Sequence, residues 1–68
     1  VIEASLIRVG GIYEGIKGQQ RKITQIEGEQ ITFEIVNEGE LHQLPLASVH
    51  IRPLKGFCEW AAKAVDLP

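Results

Sequence analysis

The stretch Ile31-Thr32-Phe33-Glu34-Ile35-Val36 alternates strictly, with Ile31, Phe33 and Ile35 on one side of the chain and Thr32 and Glu34 on the other. A period of two is the signature of a half-buried strand, and the β-branched and aromatic residues here suit a pleated surface. Gly-centred acidic segments flank it on both sides, "EGEQ" before and "NEGE" after. A strand bounded by such short connections can only hairpin onto its neighbours, so an antiparallel meander is expected.

The segment ahead, "RKITQI", supplies one neighbour. Ile23 and Ile26 are three positions apart, which a flat strand would place on opposite faces. Either that strand is buried on both sides or a bulge shifts its register, and tightly coiled small barrels use both devices. The segment after, "LHQLPL", reads as a terminal or edge strand because Pro45 cannot donate to a ladder. "IYEG" adds a strand in front, and "SLIRV" is a candidate fifth.

The last third changes period. Pro53 stands where a helix tolerates proline, in its first turn. From there Leu54, Phe57, Cys58, Ala61, Ala62, Ala64 and Val65 recur at helical spacing, predicting an amphipathic helix over about residues 53–66. Lys55, Glu59 and Lys63 fall on the opposite face, with Glu59 preceding Lys63 in the favourable order. Trp60 lies at the margin of the apolar arc, beside Gly56 one turn back. Either Trp60 caps the open end of the barrel as core, or the arc is too wide for one small barrel to cover, which makes Trp60, Phe57 and Ala64 the candidate interface residues.

A chain of 68 residues is one domain, and its core alone supplies only about 3–5 kcal/mol. The single cysteine, Cys58, excludes an internal disulfide and fits an intracellular, cytoplasmic setting. On the apolar helix face it reads as a small core residue rather than a nucleophile. His42, His50 and Cys58 show no paired spacing, so no metal is expected, and no cofactor motif is present. Association with further copies is the remaining source of stability, which makes a homo-oligomer the expectation; an unidentified protein partner is a further one. No apolar run approaches the ~20 residues of a membrane span. The sequence holds no methionine, so an initiator is expected to have been removed ahead of Val1.

Glycines 10, 11, 15 and 18 in "RVGGIYEGIKGQQRKITQI" raise the question of a phosphate loop. Such a loop must open a helix N-terminus. These glycines lead instead into a β-branched run, and they read as turns between short strands. Charge is uneven: Arg8, Lys17, Arg21 and Lys22 make the first third basic, whereas Ile23 to Ile51 carries only acids, Glu27, Glu29, Glu34, Glu38 and Glu40. The acids read as solvated turn and strand positions. Arg21 and Lys22 read the same way, and the net charge of −2 opposes a general nucleic-acid binder.

Val9-x-x-Ile12-Tyr13, then Gly18, Arg21-Lys22-Ile23, Ile26, a turn and Ile31-x-Phe33 resemble the SH3-like barrel of small bacterial, phage and plasmid (mobile-element) proteins. "LPLASV" is similar to the last strand and following short turn of such barrels. The resemblance covers about residues 6–51 and implies a mainly β fold: a small SH3-like barrel of about five short antiparallel strands, here with a C-terminal α-helix in a single domain over 1–68. Two branches of that fold can be compared. KOW-type barrels bind RNA through a basic loop at the first hairpin, which would here be Tyr13, Lys17, Arg21 and Lys22. Type II dihydrofolate reductases carry Val-Gln-Ile-Tyr ahead of a proline on a late strand. This chain has Leu41-His42-Gln43-Leu44 before Pro45, without the tyrosine, so that activity is not implied.

Ser5 and Ser48 have no nucleophile setting, His42 and His50 lie in different local contexts, and the glutamates occupy turn positions without an apolar pocket to raise a pKa. The sequence therefore reads as a non-catalytic, self-associating interaction module. Nucleic-acid binding is the alternative, and small-molecule binding between subunits a second.

Overall fold

The structure, a computed structural model, describes residues 1–39 and 48–65. Among the described residues five strands form one antiparallel sheet: β1 (Ile12–Glu14), β2 (Gln20–Glu27), β3 (Gln30–Asn37), β4 (Val49–Pro53) and β5 (Lys63–Ala64). One short helix, α1 (Leu54–Trp60), joins β4 to β5, and 3-10 turns occupy Ala4–Leu6 and Ile16–Gly18. The sheet order is β4-β3-β2-β1-β5. Its two end strands do not pair with each other, so the sheet is mainly β and antiparallel but not closed.

The β2–β3 hairpin is the spine. Glu27 pairs with Gln30 across the two-residue turn Gly28-Glu29. Gly28 has φ +57° while Glu29 does not share the positive sign, the pattern of a type II′ turn with glycine first, whose twist matches that of the strands. Ile23 faces Phe33 and Ile26 faces Ile31, with the register shifting between Ile23 and Gln25. Thr24 is the inserted residue. The three-residue spacing of the isoleucines is therefore a bulge, which returns both side chains to the face that carries Ile31, Phe33 and Ile35. Ile23 and Ile35 are fully buried and Phe33 is 2% exposed.

Helix α1 lies over that face. Phe57 packs on Phe33 at 5.5 Å between ring centroids and meets Tyr13 edge-on at 5.7 Å. Its start is tied to the hairpin by the Leu54 N–H, which donates to the Glu29 carbonyl at 2.7 Å. The N-terminal segment is fastened by Tyr13, whose hydroxyl donates to the Leu6 carbonyl at 2.8 Å and accepts from the Arg8 N–H at 3.1 Å.

Three expectations are corrected. The helix ends at Trp60 rather than near residue 66. Ala61 leaves it with ψ 129°, and the following residues pair with β1, Tyr13 opposite Ala64 and Glu14 opposite Lys63. The open side of β1 presents unpaired peptide groups, and satisfying them outweighs the helical propensity of an alanine-rich run. Lys63 consequently pairs not with Glu59 but with Glu14, at 3.4 Å. "SLIRV" is not a strand: Ala4–Leu6 turns, and Ile2 and Ile7 reach the core. "LHQLPL" lies outside the described residues, and the next described strand is Val49–Pro53.

Candidate interaction surface

Arg21 belongs to the buried face of the sheet. It sits opposite Ile35 on β3 and Tyr13 on β1, whereas Lys22 sits on the other face opposite Glu34. The Arg21 guanidinium carbon lies 3.8 Å from the Trp60 ring centroid and 4.7 Å from that of Phe33. Its Nε donates to Oε1 of Gln19 at 2.7 Å, and Gln19 is itself 1% exposed. On the far side of Phe33, His50 of β4 stacks at 5.5 Å and 30°. Strand order thus builds a continuous stack of Trp60, Arg21, Phe33 and His50. Burial, and less strongly the neighbouring Arg52, pull the Arg21 pKa down to about 10, so the group stays charged at neutral pH. The expectation that Arg21 is a solvated strand position does not hold. Its planar cation stacks on aromatic faces, as an ammonium would do less well.

Trp60 reaches this position because Gly15 leaves room. A Cβ on Gly15 would overlap the indole, whereas one on Gly56 would meet nothing within 4 Å. The glycine notch for Trp60 is on the first hairpin, not one helical turn back. The indole Nε1 and His50 Nε2 are buried without a hydrogen-bond partner.

The candidate interface residues pack on one core and differ in exposure, with the Phe57 and Trp60 rings 5.3 Å apart between centroids. Phe57 is 2% exposed and part of the core, Ala64 is half-buried in β5, and Trp60 is half-buried against Gly15 and Arg21. Of the basic set, Tyr13 is buried with its hydroxyl engaged, and Arg21 is stacked. Lys17 is exposed at the tip of the first connection and Lys22 half-buried on the outer face. Tyr13, the aromatic residue of this set, thus offers no open face for a base to stack on. Cys58 is buried, and that burial raises its thiol pKa, which makes a poor nucleophile. It borders an open groove of about 370 Å³ lined also by Ala4, Glu29, Pro53, Leu54 and Lys55. Among the described residues no three His, Cys, Asp or Glu side chains gather to hold a metal ion, and no helix is long and apolar enough to cross a membrane.

The surface that sequence reasoning missed is β4. Val49 is 62% exposed and Ile51 is 60% exposed. Both side chains point to the outer face, opposite Glu34 and Thr32 of β3. Two hydrogen bonds set the phase of the ladder: Ile35 N–H donates to Ser48 C=O, and Leu54 N–H donates to Glu29 C=O. Antiparallel pairs alternate between bonded and non-bonded. His50 and Arg52 therefore turn their peptide groups toward β3, and Val49 and Ile51 turn theirs to the outside. The available signal was Val49-x-Ile51 followed by Pro53, an alternation ending in a residue that belongs on an edge.

No protein-family model, curated protein or solved structure matches the chain.

Proposed function

We propose that the chain is a small SH3-like interaction module, not an enzyme, and that it associates with a second copy of itself through β4. The strand order β4-β3-β2-β1-β5, with a short helix before the last strand, supports the SH3-like reading. The observation that carries the function is the combination on β4 of outward peptide groups with exposed Val49 and Ile51. A five-residue edge strand whose outer face carries Val49 and Ile51 is a template for adding another strand, although Pro53 and Arg52, whose Nη1 donates to the Ile51 carbonyl at 2.8 Å, partly blunt it. The opposite end strand, β5, is two residues long and carries Lys63.

Sedimentation equilibrium of the wild-type chain and of Ile51→Lys tests this. The wild type is expected to be dimeric at high micromolar concentration, and the variant monomeric with an unchanged circular-dichroism spectrum. A monomeric wild type overturns the proposal. Binding of RNA or DNA that weakens steeply with salt would replace it with the nucleic-acid reading.

A further inference from the structure

We infer that the Arg21 guanidinium is the centre of an anion site on the inner side of the sheet, and that this site takes the dianionic phosphate of a small phosphomonoester. The inference goes beyond self-association and stands or falls apart from it.

A guanidinium drawn into a fold ordinarily carries a carboxylate, because a partly desolvated charge without a partner is costly. Arg21 is half-buried, yet no carboxylate among the described residues pairs with it. Glu14 and Glu34, on the two strands beside it, project from the opposite face. The charge it does feel is that of Arg52 on β4, which repels it. Two cations thus stand near enough to oppose each other, and an anion would relieve both.

The guanidinium is already held as a receptor would hold it. Trp60 covers it at 3.8 Å and Phe33 at 4.7 Å, measured to the ring centroids. Its Nε donates to Oε1 of buried Gln19 at 2.7 Å. These contacts fix the plane of the fork and use one of its five N–H groups. The four on Nη1 and Nη2 donate to no acceptor among the described residues. They are not shut in either: the buried side-chain nitrogens left without a partner among those residues are Trp60 Nε1 and His50 Nε2. A fixed, open edge of parallel N–H groups matches two oxygens of a carboxylate or a phosphate. Charge decides between them. A carboxylate cancels one positive charge, whereas a phosphomonoester carries nearly two at neutral pH and offsets Arg21 and Arg52 together.

Trp60 is the one tryptophan of the chain, so its fluorescence reads the site directly. The protein is titrated at neutral pH with inorganic phosphate, with acetate, and with a short single-stranded oligonucleotide, sodium chloride holding the ionic strength constant. Phosphate is expected to give a saturable change in emission, and acetate to bind several-fold more weakly. Arg21→Lys keeps the charge but loses the fork, and is expected to weaken phosphate binding about tenfold. Circular dichroism checks that this variant folds; if it does not, Arg52→Gln, at an exposed position, carries the test with a several-fold loss. A wild type that gives no saturable response to phosphate overturns the site, as does undiminished binding by either folded variant. Acetate that binds as tightly as phosphate overturns the choice of a dianion. An oligonucleotide that binds more tightly than phosphate overturns the small-molecule assignment in favour of nucleic acid.

Discussion

The β2–β3 hairpin and the segment from Leu54 to Val65 both carry clear apolar patterns, yet only the hairpin, with register shifts at Gln20/Arg21 and Ile23/Gln25, keeps the conformation its pattern predicts to its end. In the hairpin each level of organisation asks for the same conformation. Alternation, the glycine-first turn and the burial of Ile23, Phe33 and Ile35 all demand antiparallel strands. In the C-terminal segment the levels disagree. Local propensity favours a helix to the end, whereas β1 needs a partner on its open side. The result is a helix that stops at Trp60 and a short strand beyond it. Periodicity reports the environment a segment makes for itself, and it is blind to a vacancy that a distant strand leaves.

The largest test of this contrast sets two apolar positions against each other. Phe33→Ala is expected to cost about 3–5 kcal/mol, the usual range for a buried phenylalanine, and to leave so small a domain mostly unfolded in a denaturant titration. Val65→Ala, equally apolar by pattern but 40% exposed, is expected to change stability by less than about 0.5 kcal/mol. Equal losses would erase the distinction between the two regions.

Arg21 links them, since it stands on β2 and stacks on Trp60 at the end of α1. Arg21→Gln is expected to destabilise by about 1–2 kcal/mol through loss of a partly desolvated cation–π contact, while Lys22→Gln stays within about 0.5 kcal/mol. Thermal melts of the two variants decide the matter, and similar midpoints would return Arg21 to the solvated class.

The smallest effect is a matter of sign. Ala62 is exposed and donates its N–H to the Glu14 carbonyl at 2.8 Å. Valine in its place favours an extended chain, so Ala62→Val is expected to raise stability by about 0.5 kcal/mol, within the range of strand propensities. A continuing helix would instead lose a similar amount, so a lower melting temperature would count against the strand.

What could be read in advance follows the same division. The hairpin and its turn are local and were legible, and the spacing of Ile23 and Ile26 left a bulge as one of two readings. The strand at Ile12–Glu14 was legible for the same reason. The start of α1 was marked by Pro53, but its end had no glycine or proline to mark it. Arg21 was assigned to solvent by its charge, although Arg21-x-Ile23 already placed it on the face of a core isoleucine. Only the juxtaposition of Phe33 and Trp60, residues from separate elements, makes that face habitable for a cation. Edge position is likewise a property of the assembled sheet: Pro53 hinted at it, but the exposure of Val49 and Ile51 follows only from the strand order.

The joining of β1 to β5 bears on the order in which the molecule forms. The β2–β3 turn brings together residues a few positions apart, so its loop closes at small entropic cost. Tyr13 and Ala64 are about fifty residues apart, and their meeting waits until the intervening chain is in place. That seam is short and lies at the rim of the sheet, which puts it at the low end of local stability. It is therefore the last part to assemble and the first to open. Each opening lifts the chain just beyond Trp60, so the indole stacked on Arg21 moves with the least durable part of the fold.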